Sequence, residues 1–503
     1  MACQKTLKNF LYNSYALLHV LLCSCPIFKN GCRKDVSNYR PISCLPVLSK
    51  VFEKVVFNQL YDYLLLNNIL TPNQFGFQPG KSTLHPIIHI LNYIAEAFNQ
   101  NKLVVACFLD LSKAFDLINH RILIEKLKKI GLNDISIKWF SSYLSNRKMF
   151  SCVNGTLSSS FKILERSVPQ GSILGPLLFL IFVNDMPLSN NLDSYLFADD
   201  TTALASGDNI HEIGPFVNSE LHKLGLWLRS NELCINTSKT KIMVFSKNKN
   251  IGEFPFVFNY NDIDNHDGES FQPLERITSN SPTPAIKMLG VYLDETLSFD
   301  YHCKKVISKI NSAMFYLSSV KNILSTNALI KLYYALVHPH ILYCLPAYSF
   351  TSLKNRKLLA NKQKQCIRII MKSKYNAHSE PLFYKSQILP LEDLIFQQKL
   401  LLMHSLVNGY SAVSFPQFIS NQIANVHRYT FRNDNDFHVP RTTQSLVQKM
   451  PLIDFPSSWN SLDPSLKDIS SKYSFKKTLK QELLDKYSNF RCTRSICISC
   501  IDI

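Results

Sequence analysis

A chain of 503 residues has room for roughly two to four folding units, and its 46% hydrophobic and 12% aromatic content excludes a polypeptide disordered throughout. Lys and Arg number 55 against 37 Asp and Glu, a formal charge of +18. Such an excess suits a polyanionic partner, because each neutralised phosphate releases counterions.

The 14 cysteines are scattered, several of them inside apolar runs such as LVVACFLD around Cys107 and ILYCLPAY around Cys344. Cysteines of that kind act as small hydrophobes, so a reduced protein inside the cell, in nucleus or cytoplasm, is the expectation. Lys5 and Lys8 precede an apolar stretch from Tyr15 to Cys25. It is too short to span a bilayer, so a buried strand or helix is expected there and no membrane partner. The terminal Cys492, Cys497 and Cys500 supply three thiols where a zinc site wants four ligands, so no metal is expected there.

In chain order, residues 38–68 read as loop and then helix, and residues 71–83 as turns. A helix is expected from Leu84 to Phe98. Leu103 to Leu109 is an almost unbroken apolar run, read as a buried strand. Asn119 to Ile130 is amphipathic and stopped by Gly131. Ser172 to Val183 is an apolar helix. Tyr195–Phe197 and Thr201–Ala205 flank Asp199 and Asp200 as a hairpin, and a helix follows from Ile210 to Leu228. Leu233–Ile235, Lys241–Phe245 and Ile286–Leu293 read as strands, with residues 247–284 a polar surface insertion between the last two. Beyond Leu297 the pattern turns to basic helices. Strands mixed with helices, then mostly helices, indicate an α+β unit followed by a helical one.

Asp110 closes a buried strand, and Asp199–Asp200 occupy a tight turn. Carboxylates gathered at strand ends repel unless a cation neutralises them. Oxygen ligands beside a phosphate substrate suit Mg²⁺, and two such ions would serve phosphoryl transfer. Taken alone, an Asp-Asp pair is explained by an ordinary hairpin turn. Its context is different. FLDLSKAFD at 108–116, PQGSILGP at 169–176 and FADD at 197–200 resemble, in order and separation, motifs A, B and C of reverse transcriptases. NYRPIS at 38–43 and QFGFQPGKST at 74–83 resemble the two finger motifs. CINTSKT at 234–240 resembles motif D, and LGVYLD at 289–294 resembles motif E, the primer grip. The wording is most similar to the jockey-like branch of non-long-terminal-repeat (LINE-type) retrotransposons, and LVHPHILYCLPAY at 336–348 also fits that branch.

The resemblance implies a right-hand polymerase. Residues 26–297 would form fingers and palm, an antiparallel ferredoxin-like sheet with helices. Residues 298–380 would form a helical thumb, and 381–503 a mostly helical region without assigned role. It implies an RNA-directed DNA polymerase with an RNA template, a DNA primer, dNTP substrates and two Mg²⁺ ions. Asp110, Asp199 and Asp200 would be the catalytic, metal-binding carboxylates. The Leu111 main chain, Gln170 and Gly171 would line the nucleotide pocket. Phe115 would be the aromatic gate against a ribose 2′-hydroxyl, a role compatible with core packing. Arg40, with Lys29 as a second cation, would meet the triphosphate. Lys239 would protonate the leaving pyrophosphate, a solvated loop lysine being the equal alternative. Eight Lys/Arg and no acid lie between Lys354 and Lys374. Lys357, Lys364 and Arg368 fall close to one helical face, positioned to bind nucleic acid. Residues 1–25 depart from the family's pattern and leave no room for the usual upstream endonuclease, so a truncated copy is expected. The competing reading is an inactive relic or an adopted nucleic-acid-binding protein.

Overall fold

A computed structural model describes residues 22–488, apart from 30, 146, 154, 248–250, 261–269, 414, 416–417 and 419–435. The cysteine-rich tail and most of the first 25 residues lie outside the described residues. Within the expected buried segment, Leu22 begins a strand, β1 (Leu22–Phe28). Its antiparallel partner β2 (Tyr39–Cys44) carries the NYRPIS motif, which is therefore strand where loop was expected. Helix α1 (Val47–Leu66) follows, then turns, then α2 (Leu84–Asn99).

The apolar run forms β3 (Leu103–Ser112). Next come α3 (His120–Lys129) and α4 (Asp134–Leu144), then the small strands β4 (Arg147–Val153), β5 (Thr156–Leu157) and β6 (Lys162–Leu164). Asn119 caps α3 by accepting from the main-chain N–H groups of Arg121 and Ile122. Strands β1, β2, β4, β5 and β6 make one sheet, in which β1 and β4 run parallel. Helix α5 (Leu174–Val183) leads to the hairpin β7 (Asp193–Phe197) and β8 (Asp200–Gly207), then α6 (Ile210–Ser230), β9 (Cys234–Ile235) and β10 (Lys241–Phe245).

The second sheet runs in the order β13–β10–β3–β8–β7, where β13 is Glu275–Arg276 and β9 pairs with the end of β3. Its central strand reads as unbroken hydrophobe because both faces are covered. Val104, Ala106 and Phe108 join one core with α2 and the C-terminal helices. Leu103, Val105, Cys107 and Leu109 join another with α1, α3, α4, α5 and α6. Period-two alternation thus assigns successive side chains to two different cores.

Two expectations need correction. Residues 247–284 are not only surface: Phe256 and Leu274 are buried in the second core, Ile277 in the first, and β13 extends the central sheet. Between them, β11 (Val257–Tyr260) and β12 (Ser270–Pro273) form a separate hairpin. Residues 286–293 are not one strand but a hairpin, β14 (Ile286–Met288) and β15 (Val291–Leu293). The chain reverses at Leu289 and Gly290, both at positive φ (44° and 86°). The Tyr343 hydroxyl holds this turn, donating to the Leu289 carbonyl at 2.6 Å and approaching Thr83 of the finger motif at 3.1 Å.

The remaining principal helices are α7 (Asp300–Val320), α8 (Thr326–Leu336), α9 (Leu353–Ile370), α10 (Ser379–Ser386), α11 (Leu391–Val407), α12 (Pro451–Asn460) and α13 (Lys472–Asp485). Their apolar faces share the core that covers one face of the second sheet. Gln444 and Thr442 bind the C-terminal end of α2, through the Phe98 carbonyl and the Asn99 side chain, each at 2.7 Å. Residues beyond 380 are thus packed on α2 as well as on the helices α7 to α9. Among the described residues, no helix is long and apolar enough to cross a membrane.

Candidate active site

The site is built on the edge where β3 meets the β7–β8 hairpin. Asp110 pairs directly with Asp200 in the β3–β8 register, and Phe197 pairs with Asp200 across the turn. The turn itself is Ala198–Asp199, with Ala198 at φ +58°. Side chains directly opposite on antiparallel strands lie close together on one face, so Asp110 and Asp200 form a like-charged pair that weakens the sheet. Burial pushes the Asp200 carboxyl up to about 6, with Asp199 and then Asp110 adding to the shift, although part of its surface is open to solvent. Asp199 is also raised, chiefly by burial and then by Asp110, while Arg40 and Lys29 pull it down. Lys29 and Arg40 therefore stand within electrostatic reach of the turn.

The Asp110 main chain is gripped from the side. Its N–H donates to the Thr240 hydroxyl at 3.3 Å, and its carbonyl accepts from Asn236 N at 2.7 Å. These residues belong to the CINTSKT loop, whose Lys239 ammonium lies 3.5 Å from the Asp110 carboxylate. Leu111, buried, pairs with Ile235 of β9.

The half-buried Phe115 stacks on Phe179 of α5 at 4.4 Å and meets Phe77 edge-on at 5.9 Å. Gln170 donates to the Asp116 carboxylate at 2.7 Å, which fixes the amide's orientation. Burial raises Asp116, a shift opposed by Gln170 and Lys113. Gly171 sits at φ +112°, and a Cβ there would lie 2.6 Å from the Ser43 carbonyl oxygen, so only glycine fits. Ser43 of β2 in turn donates its N–H to the Gln170 carbonyl at 2.7 Å. Motif B is thereby tied to the strand that carries Arg40.

Sequence reasoning missed three supporting residues: Asp116, Thr240 and Glu53. Asp116 and Thr240 stand inside quoted motifs, but their partners are remote in sequence. Glu53 is 1% exposed on α1 and accepts from Tyr143 Oη at 2.9 Å, Ile173 N at 2.6 Å and Leu174 N at 3.3 Å. Its charge faces the positive end of α5, and its only sequence signal is a charge inside an otherwise apolar helical stripe.

The basic helix α9 needs a correction. Acids absent from its own sequence arrive from elsewhere: Lys364 lies 3.6 Å from Glu380 on α10, and Arg356 lies 2.8 Å from Glu392 on α11. Arg368 donates to the Ala377 carbonyl at 2.7 Å. Lys357 is exposed. Arg368, with Lys321, Lys372 and Tyr375, lines a cleft of about 410 Å³.

Among the described residues, no group of three or more His, Cys, Asp or Glu is arranged to hold a metal ion by itself. The donor chemistry still fits a hard divalent cation. Three mutually repelling carboxylates share one edge, and Mg²⁺ commonly takes only one or two protein carboxylates, with water and substrate phosphate completing its shell.

A two-faced sheet, antiparallel except where β13 joins β10, with acids on its central strand and on the adjoining hairpin turn, is the architecture of a right-hand polymerase palm. The family model for reverse transcriptase (RNA-dependent DNA polymerase) matches residues 27–293, and the chain belongs to that family. A probable RNA-directed DNA polymerase from transposon BS of Drosophila melanogaster is 28% identical over 373 residues, 71% of this chain and 39% of the relative. The RNA-directed DNA polymerase from mobile element jockey of Drosophila funebris is 28% identical over 351 residues, 67% of this chain and 36% of the relative. The chain thus spans well under half the length of these relatives. Among solved structures, telomerase from Candida albicans aligns with a TM-score of 0.31 at 12% identity, covering 74% of this chain and 66% of that one.

Proposed function

We propose that this chain is the RNA-directed DNA polymerase of a jockey-like retrotransposon, extending a DNA 3′-hydroxyl with dNTPs on an RNA template. The observation that carries this reading is the pairing of Asp110 with Asp200 beside the Asp199 turn, on the edge bordered by the motif D loop. Asp110, Asp199 and Asp200 would hold divalent ions, Mg²⁺ in the cell and two in number. Such ions, when bound, lower the pKa of the attacking hydroxyl and neutralise charge on the leaving group.

The chain's own residues do the rest. Arg40 and Lys29 orient the triphosphate beside the carboxylates. Phe115, backed by Phe179, lies under the sugar and excludes a 2′-hydroxyl. Gln170, held by Asp116, reads sugar or base from the Gly171 turn. Lys239 leaves Asp110 to donate a proton to pyrophosphate. Lys357 and Arg368 track the duplex backbone. The nucleus or cytoplasm is the corresponding compartment.

The test is primer extension by the purified chain on poly(rA)/oligo(dT). Asp199→Asn should lower kcat on the order of 10³-fold or more, since several kcal/mol of transition-state stabilisation are lost. Near-normal extension by this variant with unchanged metal dependence would remove the carboxylates from the mechanism.

A further inference from the structure

The Ala198–Asp199 turn is held in a conformation its own sequence does not favour. Ala198 lies in the left-handed region, which an L residue other than glycine rarely adopts. A neighbouring segment supplies the restraint. Leu196 donates to the Asn73 carbonyl at 2.9 Å, and Phe75 N donates to the Leu196 carbonyl at 2.8 Å, so the QFGFQ segment runs alongside β7 as an added parallel bridge.

From this bridge the Gln74 side chain reaches the turn. Its Oε1 accepts from Ala198 N at 3.0 Å and from Gly76 N at 2.9 Å. Both partners are donors, which fixes the oxygen of the amide on that side. Gly76 packs so closely that a Cβ would fall 2.3 Å from Ala198 N. Gln74 is itself anchored and is 1% exposed. Its carbonyl accepts from Gln78 Nε2 and from Lys81 Nζ, each at 2.7 Å. Nε2 of Gln74 is buried without a hydrogen-bond partner among the described residues, so the oxygen alone accounts for the side chain's polar contacts.

We propose that Gln74 is a positioning residue for the Asp199 carboxylate, fixing the turn's main chain at Ala198 so that Asp199 faces Asp110 for divalent-cation binding. Gln74 touches neither substrate nor metal; it acts through the Ala198 N–H. The inference rests on the polymerase reading for its kinetic consequence, but its metal-binding consequence can be measured separately.

The experiment uses the full chain and two variants. Gln74→Leu keeps the volume and removes the acceptor. Gln74→Glu keeps an acceptor and places an acid near the three aspartates. Mn²⁺ affinity is read by electron paramagnetic resonance without substrate, and kcat, dNTP KM and pH dependence by primer extension. For Gln74→Leu, Mn²⁺ affinity and kcat should both fall about tenfold, the effect of losing one buried hydrogen bond, while dNTP KM and template–primer affinity stay within about twofold. Gln74→Glu should retain kcat and Mn²⁺ affinity within about twofold, because a carboxyl oxygen at that position still accepts from the Ala198 N–H.

Wild-type Mn²⁺ affinity and kcat in a folded Gln74→Leu chain would overturn the proposal. So would a loss fully explained by a smaller active fraction on active-site titration. If Gln74→Leu does not fold, Gln74→Glu decides, and a folded Gln74→Glu chain that loses Mn²⁺ affinity and kcat despite its retained acceptor overturns it. Absence of extension by the wild-type chain would instead refute the polymerase reading, while the Mn²⁺ comparison would still judge Gln74.

Discussion

Replacing Asp200 by Asn should make the metal-free chain more stable at neutral pH while impairing catalysis. Asp200 is raised from an ordinary 3.8 to about 6, by burial first and then by Asp199 and Asp110. The folded chain therefore binds more protons than the unfolded chain between these values, and stability falls as pH rises through that window. A shift of about two units has a ceiling of ~3 kcal/mol. The carboxyl is partly exposed, so solvent screening reduces the expected gain to about 1 kcal/mol, or a rise in Tm of about 1–3 °C. Thermal unfolding at about pH 7.5 and about pH 4.5, with and without Mg²⁺, measures it. The variant should gain at the higher pH and little at the lower one, and Mg²⁺ should stabilise wild type more than the variant. The three carboxyls titrate together, so the window belongs to the group. An equal Tm difference at both pH values, or a destabilised variant at the higher pH, would refute the electrostatic account.

Phe115→Val should admit ribonucleotides, read as a lower ratio of kcat/KM for dNTP over rNTP; an unchanged ratio would leave Phe115 a packing residue against Phe179. Combined Lys357→Ala, Lys364→Ala and Arg368→Ala substitution should flatten the slope of log K against log salt by about 2 units rather than 3. Lys364 already faces Glu380, whereas Arg368 keeps its charge while donating to the neutral Ala377 carbonyl. Glu53→Ala strands the Tyr143 hydroxyl and two N–H groups of the motif B helix, and should cost about 2–4 kcal/mol of stability in denaturant unfolding.

Local signals in the sequence carried the elements of the palm and the identity of its acids. The run Leu103–Leu109 marked a strand because β-branched and apolar residues covered on both faces leave no polar alternation. The FADD segment marked a turn because the flanking segments Tyr195–Phe197 and Thr201–Ala205 can pair only if the chain reverses between them. Motif residues such as Gln170 and Gly171 were legible for a similar reason: their chemistry is set by residue type and short spacing.

What the sequence left open was decided by contacts between distant segments. The NYRPIS strand forms only because β1 offers it an edge, and the Leu289–Gly290 reversal is held by Tyr343, which lies 54 residues from Leu289. The apparent freedom of the basic helix was reduced for the same reason, since Arg356 and Lys364 meet no acid at helical spacing but find Glu392 and Glu380 on neighbouring helices. The register that sets Asp110 opposite Asp200, and the Gln74 amide that closes on Ala198, also belong to tertiary structure. Hydrogen bonds are short-ranged, and which donor meets which acceptor across 90 or 124 residues depends on how the sheets and helices pack. The amino-acid sequence singled out the three aspartates; the packing of two cores on either face of one sheet decided what holds them in place.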